Sequence, residues 1–95
     1  MIKKLKSEEK SEKISGIYII FGYDNTVYIG ESADILNRST VQFAKQLKLD
    51  WEIIKCLPNS TKKVRLYEEG RAISRFQNEG FIVVNNNNGW GFMEL

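Results

Sequence analysis

Two stretches rich in β-branched and aromatic residues, Ser15-Gly16-Ile17-Tyr18-Ile19-Ile20-Phe21-Gly22 and Thr26-Val27-Tyr28-Ile29-Gly30, are separated only by Tyr23-Asp24-Asn25. Runs of this kind so close together form a β-hairpin. The loop length then decides which side chains share a face, because side chains alternate along a strand and paired residues point the same way. A two-residue Asp24-Asn25 turn would pair Phe21 with Tyr28 and place Tyr18 and Tyr28 on opposite faces. A three-residue loop pairs Gly22 with Thr26, Ile20 with Tyr28 and Tyr18 with Gly30, and it gathers Ile17, Ile19, Phe21, Val27 and Ile29 on the other face. Only this second register makes one face wholly apolar. The last position of such a loop takes a positive φ, which the asparagine standing there, Asn25, tolerates. The sequence therefore predicts the three-residue loop and two tyrosines on one face.

Beyond the hairpin, Ser32 is placed to cap a helix running to about residue 48, with Asp34 in its first turn, where a negative charge suits the helix dipole. Ile35, Leu36, Phe43 and Leu47 form the apolar arc of that helix, and Arg38 and Gln42, four apart, sit at one edge of it. Residues 51–57 read as a third strand, ended by Pro58-Asn59-Ser60, and Ser60 or Thr61 begins a second helix reaching about Asn78. Leu66, Ile73 and Phe76 recur on one stripe of this helix, with Glu69 in its middle. A lone buried carboxylate is costly unless it is paired, protonated or holding a metal. Either Arg65, four residues earlier, pairs with Glu69, or Glu69 has chemistry to do. Glu68, roughly 100° around the helix, faces Arg71 and Arg75 as an ordinary surface partner. Phe81-Ile82-Val83-Val84 is a short apolar run entering an irregular tail, in which Trp90 and Phe92 are expected to cover the core.

Ninety-five residues with 42% apolar content suit one domain and one core. The division expected is a charged arm over residues 1–14 and a single domain over 15–95. The arm carries Lys3, Lys4, Lys6, Lys10 and Lys13 against Glu8, Glu9 and Glu12, and the remainder balances nine basic with nine acidic groups. That distribution describes a solvated arm, or one that reaches phosphates, rather than a strongly basic face. No histidine is present and Cys56 is the single cysteine, so a Cys/His zinc site and an internal disulfide are excluded. Without a histidine base Cys56 reads as a packed thiol. No apolar span of about 18 residues and no signal-peptide pattern occurs, so the expectation is a soluble, cytoplasmic chain with no membrane partner.

Gly16-Ile17-Tyr18, Tyr28-Ile29-Gly30 ten residues on from the first tyrosine, Ser32, Ile35, Arg38, Glu69 and Asn85 follow one another in the order that resembles the GIY-YIG nuclease superfamily. Both tripeptides are literal matches, and the resemblance spans residues 15 to about 88. It implies an α+β fold, a small three-stranded antiparallel β-sheet flanked by helices, in agreement with the hairpin, helix, strand, helix order above. It also implies a metal-dependent endonuclease, homing-endonuclease-like or phage-type, that hydrolyses DNA phosphodiesters with one Mg²⁺ or a substituting Mn²⁺. Glu69 would hold the metal. Arg38 would bind a phosphate oxygen, a role its fixed donor fork suits. Tyr18 would take the proton of the attacking water, which requires its phenol, ordinarily near ~10 in pKa, to be stabilised as phenolate. Tyr28 would orient water or phosphate, and Asn85 would support the site. Gln42 stands where many members carry histidine or tyrosine, and it can hydrogen-bond the substrate without relaying a proton. Glu31 stands where some carry lysine. Gly16 and Gly30 read as places where another backbone comes close. Two further readings remain: a non-cleaving nucleic-acid-binding module of the same fold, and a small protein-interaction domain. Targeting would fall to an added DNA-binding domain, a partner or self-association.

Overall fold

The computed structural model describes residues 13–84. Most of the charged arm, and Asn85, Trp90 and Phe92 of the tail, lie outside the described residues. Strands β1 (Gly16–Phe21) and β2 (Thr26–Ser32) form the hairpin. Their register pairs Tyr18 with Gly30 and Ile20 with Tyr28, the register of the three-residue loop. The loop closes through Gly22 N–H on the Thr26 carbonyl at 2.9 Å, and both Asp24 (φ 53°) and Asn25 (φ 67°) are left-handed. A type I′-like bend of this kind suits the right-handed twist of the strands it joins. Strand β3 (Trp51–Cys56) pairs antiparallel with the other side of β1, with a register shift between Ile17 and Tyr18.

The sheet differs from the expected three antiparallel strands. Ile82–Val83 forms β4, parallel to β2, giving a mixed four-stranded sheet in the order β3-β1-β2-β4. The cause is local: the Ile82 N–H reaches the Asn25 carbonyl at 3.0 Å and Val84 N–H the Val27 carbonyl at 2.9 Å, while the Asn25 side-chain amide donates to the Gly80 carbonyl at 3.0 Å. The turn that closes the hairpin thus also docks the last strand. The α+β class stands.

The expected helix from Ser32 is also divided. Ser32 ends β2, and its Oγ accepts from the Asp34 N–H at 2.9 Å, turning the chain instead of capping a helix. A 3-10 turn follows over Ile35–Asn37, Arg38 is extended, and helix α1 runs only over Ser39–Gln46. Ile35 N–H bonds the Ile14 carbonyl at 2.8 Å, so this turn is pinned to the chain leading into β1. Helix α2 (Lys62–Asn78) has the expected bounds, with Thr61 as its cap accepting from Val64 N–H, but Leu66, expected on its buried stripe with Ile73 and Phe76, is exposed, and Arg65 beside it is buried instead.

The sheet is covered on both faces. Tyr18, Ile20, Ile35, Val41 and Ala44 pack together under α1, whereas the expected arc residues Leu36 and Leu47 are exposed. Ile17, Ile19, Val27 and Ile29 pack on the opposite face against Ala72, Ile73 and Phe76 of α2. Each fully buried isoleucine contributes roughly 1.5–3 kcal/mol. No helix among the described residues is long and apolar enough to cross a membrane.

Gly16 and Gly30 are set by different neighbours. A Cβ on Gly16 (φ 157°) would collide with the Lys55 carbonyl oxygen, a backbone approach from β3. A Cβ on Gly30 would meet the Tyr18 ring instead, at 2.5 Å from Oη and 2.6 Å from Cζ. Tyr18 is wholly buried and has nowhere to retreat. Gly30→Ala is therefore expected to destabilise the fold by about 1–3 kcal/mol, the usual cost of overpacking, as measured by urea unfolding. An unchanged midpoint would mean that the ring does not lie there.

Candidate functional site

Tyr18 and Tyr28 point to the same face because the hairpin register puts them there, with ring centroids 6.2 Å apart and planes inclined by 30°. The Tyr18 hydroxyl is hydrogen-bonded to Thr40 Oγ1, from the buried side of α1. Nothing in the sequence singles out Thr40, since a threonine early in a helix reads as any polar residue. Burial pushes the Tyr18 phenol above its ordinary 10.0, against the opposing hydrogen bonds of Thr40 and Arg38, the Arg38 charge and a bond with Tyr28. Tyr28 is half-buried and pushed up to about 12, by burial first and then by charge on Tyr18, with Arg38 opposing and Glu69 adding to the rise. At neutral pH both phenols keep their protons.

Arg38 occupies the break between the 3-10 turn and α1, where its extended backbone (ψ 134°) leads an exposed side chain toward these phenols. Gln42 braces that break, its side-chain amide donating to the Leu36 carbonyl and its backbone N–H to the Arg38 carbonyl at 3.0 Å. The structure does not bring Gln42 to the phenols. The expected fourth-residue partnership of Arg38 and Gln42 is thus made through backbone and not through a shared helical edge.

Glu69 comes from α2 on the far side of the sheet, yet its charge is felt by Tyr28 and it in turn feels Arg38. Among the described residues β4 pairs with Thr26 and Val27 of β2. Arg65, the structural alternative as its partner, is engaged elsewhere, with its Nε donating to Glu31 Oε1 at 2.8 Å. Among the described residues Glu69 makes no hydrogen bond or ion pair. Burial, then the Glu31 charge, push its carboxyl above the ordinary value, with Lys62 and Arg38 pulling the other way. Glu68, by contrast, is paired with Lys55 at 3.0 Å and approached by Arg71 at 3.9 Å, as a surface carboxylate should be.

Arg38 thus acts on Tyr18, Tyr28 and Glu69, and Glu69 on Tyr28. Asn85 falls outside the described residues, directly after Val84. A recess of about 220 Å³ lined by Ile17, Ile54, Glu68, Arg71 and Arg75 lies apart from these four groups and contains none of them. No group of three or more acidic, Cys or His side chains suited to a metal occurs among the described residues. A single half-buried carboxylate still fits Mg²⁺, which keeps several waters and needs only one or two protein carboxylates. Comparison with protein-family models, curated proteins and solved structures finds no match.

Two measurements check these electrostatics. An ultraviolet titration should contain a phenolic step at about 12 that disappears in Tyr28→Phe; a Tyr28 step at 10.0 would contradict it. The raised Glu69 value has a definite sign for stability. Above the folded pKa the carboxylate is ionised at a cost to the fold, and below the ordinary 4.5 both states are protonated and the cost vanishes. Glu69→Gln should accordingly raise Tm at neutral pH, and the gain should shrink as the pH falls toward 4.5.

Proposed function

We propose that this chain is a metal-dependent DNA endonuclease domain of the GIY-YIG kind, and that Tyr28, Arg38 and Glu69 surround the scissile phosphate with Tyr18 behind them. The observation that carries the reading is the half-buried carboxylate of Glu69, without a hydrogen bond or ion pair among the described residues, within electrostatic reach of Arg38 and Tyr28 from two other parts of the chain. Phosphodiester hydrolysis needs positive charge on the phosphate, an activated water and a stabilised leaving oxygen. A magnesium or manganese ion on Glu69 would supply an acidified water and positive charge.

The chain's own groups have distinct roles. Arg38, exposed and held at its backbone by Gln42, offers a planar fork to the phosphate oxygens. Tyr28 keeps its proton and donates it as a hydrogen bond to phosphate or water. Tyr18 departs from the role that the resemblance implies. Its hydroxyl is sealed from solvent and engaged by Thr40, so it serves to hold the Tyr28 ring and Arg38 in place; acting as a base would require Arg38 and a nearby cation to outweigh its burial. The same sealed hydroxyl favours a second reading, a module that grips phosphate without cutting.

Nicking of supercoiled plasmid separates the two. Wild type with Mg²⁺ should relax the plasmid, chelation should stop it, Glu69→Ala should abolish it, and Arg38→Lys should slow it by ~10²–10³-fold, the usual loss for a group that stabilises transition-state charge. DNA binding without metal-dependent cleavage would establish the second reading in its place.

A further inference from the structure

Arg65 is the one buried residue of α2, at 8% exposure, on a helix whose other inward positions are apolar or half-open. Its guanidinium collects partners from separate parts of the chain. Nε donates to Glu31 Oε1 at 2.8 Å, while Nη1 donates to the Ser60 carbonyl at 2.6 Å and lies 3.3 Å from Ser60 Oγ. Ser60 Oγ in turn meets Ser15 Oγ at 3.0 Å, at the residue preceding β1. Glu31 is itself buried, at 9% exposure, and its second oxygen is 3.5 Å from Lys62 Nζ.

The elements tied together here are the three that carry the proposed chemistry apart from Arg38. Glu31 lies on β2 three residues beyond Tyr28, Ser15 leads into the strand of Tyr18, and Arg65 stands one helical turn before Glu69. We infer that the Glu31–Arg65 ion pair is a positioning device for the reaction, fixing the height of Glu69 along α2 against Tyr28 on β2. This inference rests on the nuclease reading above. Apolar contacts of Ala72, Ile73 and Phe76 with the sheet are non-directional and so hold a register less sharply than a hydrogen-bonded ion pair. A planar fork with a carboxylate on one nitrogen and a carbonyl on another is directional. A slip of one turn at this contact would displace Glu69 by about 5.4 Å, far beyond what a reacting geometry tolerates. Buried ion pairs are often no more stabilising than apolar substitutes of similar volume, so a role in register separates from a role in stability.

That separation can be measured. The full chain is prepared as wild type and as the double variant Glu31→Leu with Arg65→Met, which leaves neither charge stranded. Cleavage of supercoiled plasmid at saturating Mg²⁺, DNA affinity by fluorescence anisotropy, and Tm are compared. The expected result is a folded double variant with wild-type Tm and DNA affinity and a turnover rate lower by on the order of 10–100-fold, the usual effect of removing a group that orients a metal ligand. Arg65→Lys, which keeps charge but loses the fork, should lie between the two. A folded double variant that cuts at the wild-type rate overturns the inference while leaving the nuclease reading intact. Loss of rate only in step with Tm or DNA affinity, or failure of both variants to fold, also overturns it, in favour of a purely structural contact. A wild type inert with Mg²⁺ and Mn²⁺ sinks the nuclease reading and this inference with it.

Discussion

The ring of Tyr18 lies across Gly30 on the neighbouring strand, and both the fold and the site are arranged around that contact. A glycine at the cross-strand position gives the ring room to lie flat, and the ring's hydroxyl then reaches Thr40 and fastens α1 to the sheet. Because paired residues point the same way, Tyr28 follows onto this face with Ile20, and Ile17, Ile19 and Ile29 go to the other. A one-residue slip would reverse every one of those assignments, removing the apolar seat of α2 together with the tyrosine pair. The three-residue loop, with left-handed Asp24 and Asn25, holds the register from one end. Close approach of the Lys55 carbonyl to Gly16 fixes the pairing of β1 with β3 on its other side.

Upon this frame the charges are distributed unequally. Glu68 and Glu31 are each satisfied by cations, whereas Glu69 has no partner among the described residues. A fold selected only for stability would have paired it or replaced it. Breaking the Glu31–Arg65 pair on one side would strand a buried charge at a cost of about 3–5 kcal/mol, so the chain commits its best-satisfied ions to joining α2 to β2. Its least satisfied one stands one turn further along the same helix. Tension of this kind is where physical chemistry expects function.

Much of this arrangement is legible in local sequence patterns. The hairpin register can be read because only one loop length separates an apolar face from a mixed one, and α2 can be read because Thr61 caps it and Ile73 and Phe76 repeat at helical spacing. Long-range partners cannot. Arg65 has Glu69 four residues away, the nearest acid in sequence on its own face, yet it bonds Glu31 from another element, a choice no local rule could make. Ser32 has the type and place of a helix cap but serves a turn, and the short β4 depends on Asn25 presenting a carbonyl and an amide to a segment more than fifty residues later in the chain. Arg38 and Glu69 stand out by type and order of residues, whereas the folding that lets the charge of each act on the other is not written in their local sequence.

At the centre stands the proposal that Glu69 would anchor a divalent cation, beside the phosphate that Arg38 and Tyr28 would contact. An anomalous difference map from crystals grown with Mn²⁺ addresses it without any reaction. The expected result is a peak bonded to a Glu69 carboxylate oxygen on the side of the Tyr28 hydroxyl. A peak on Glu68 or Glu31 alone, or none at Glu69 at saturating Mn²⁺, would contradict it.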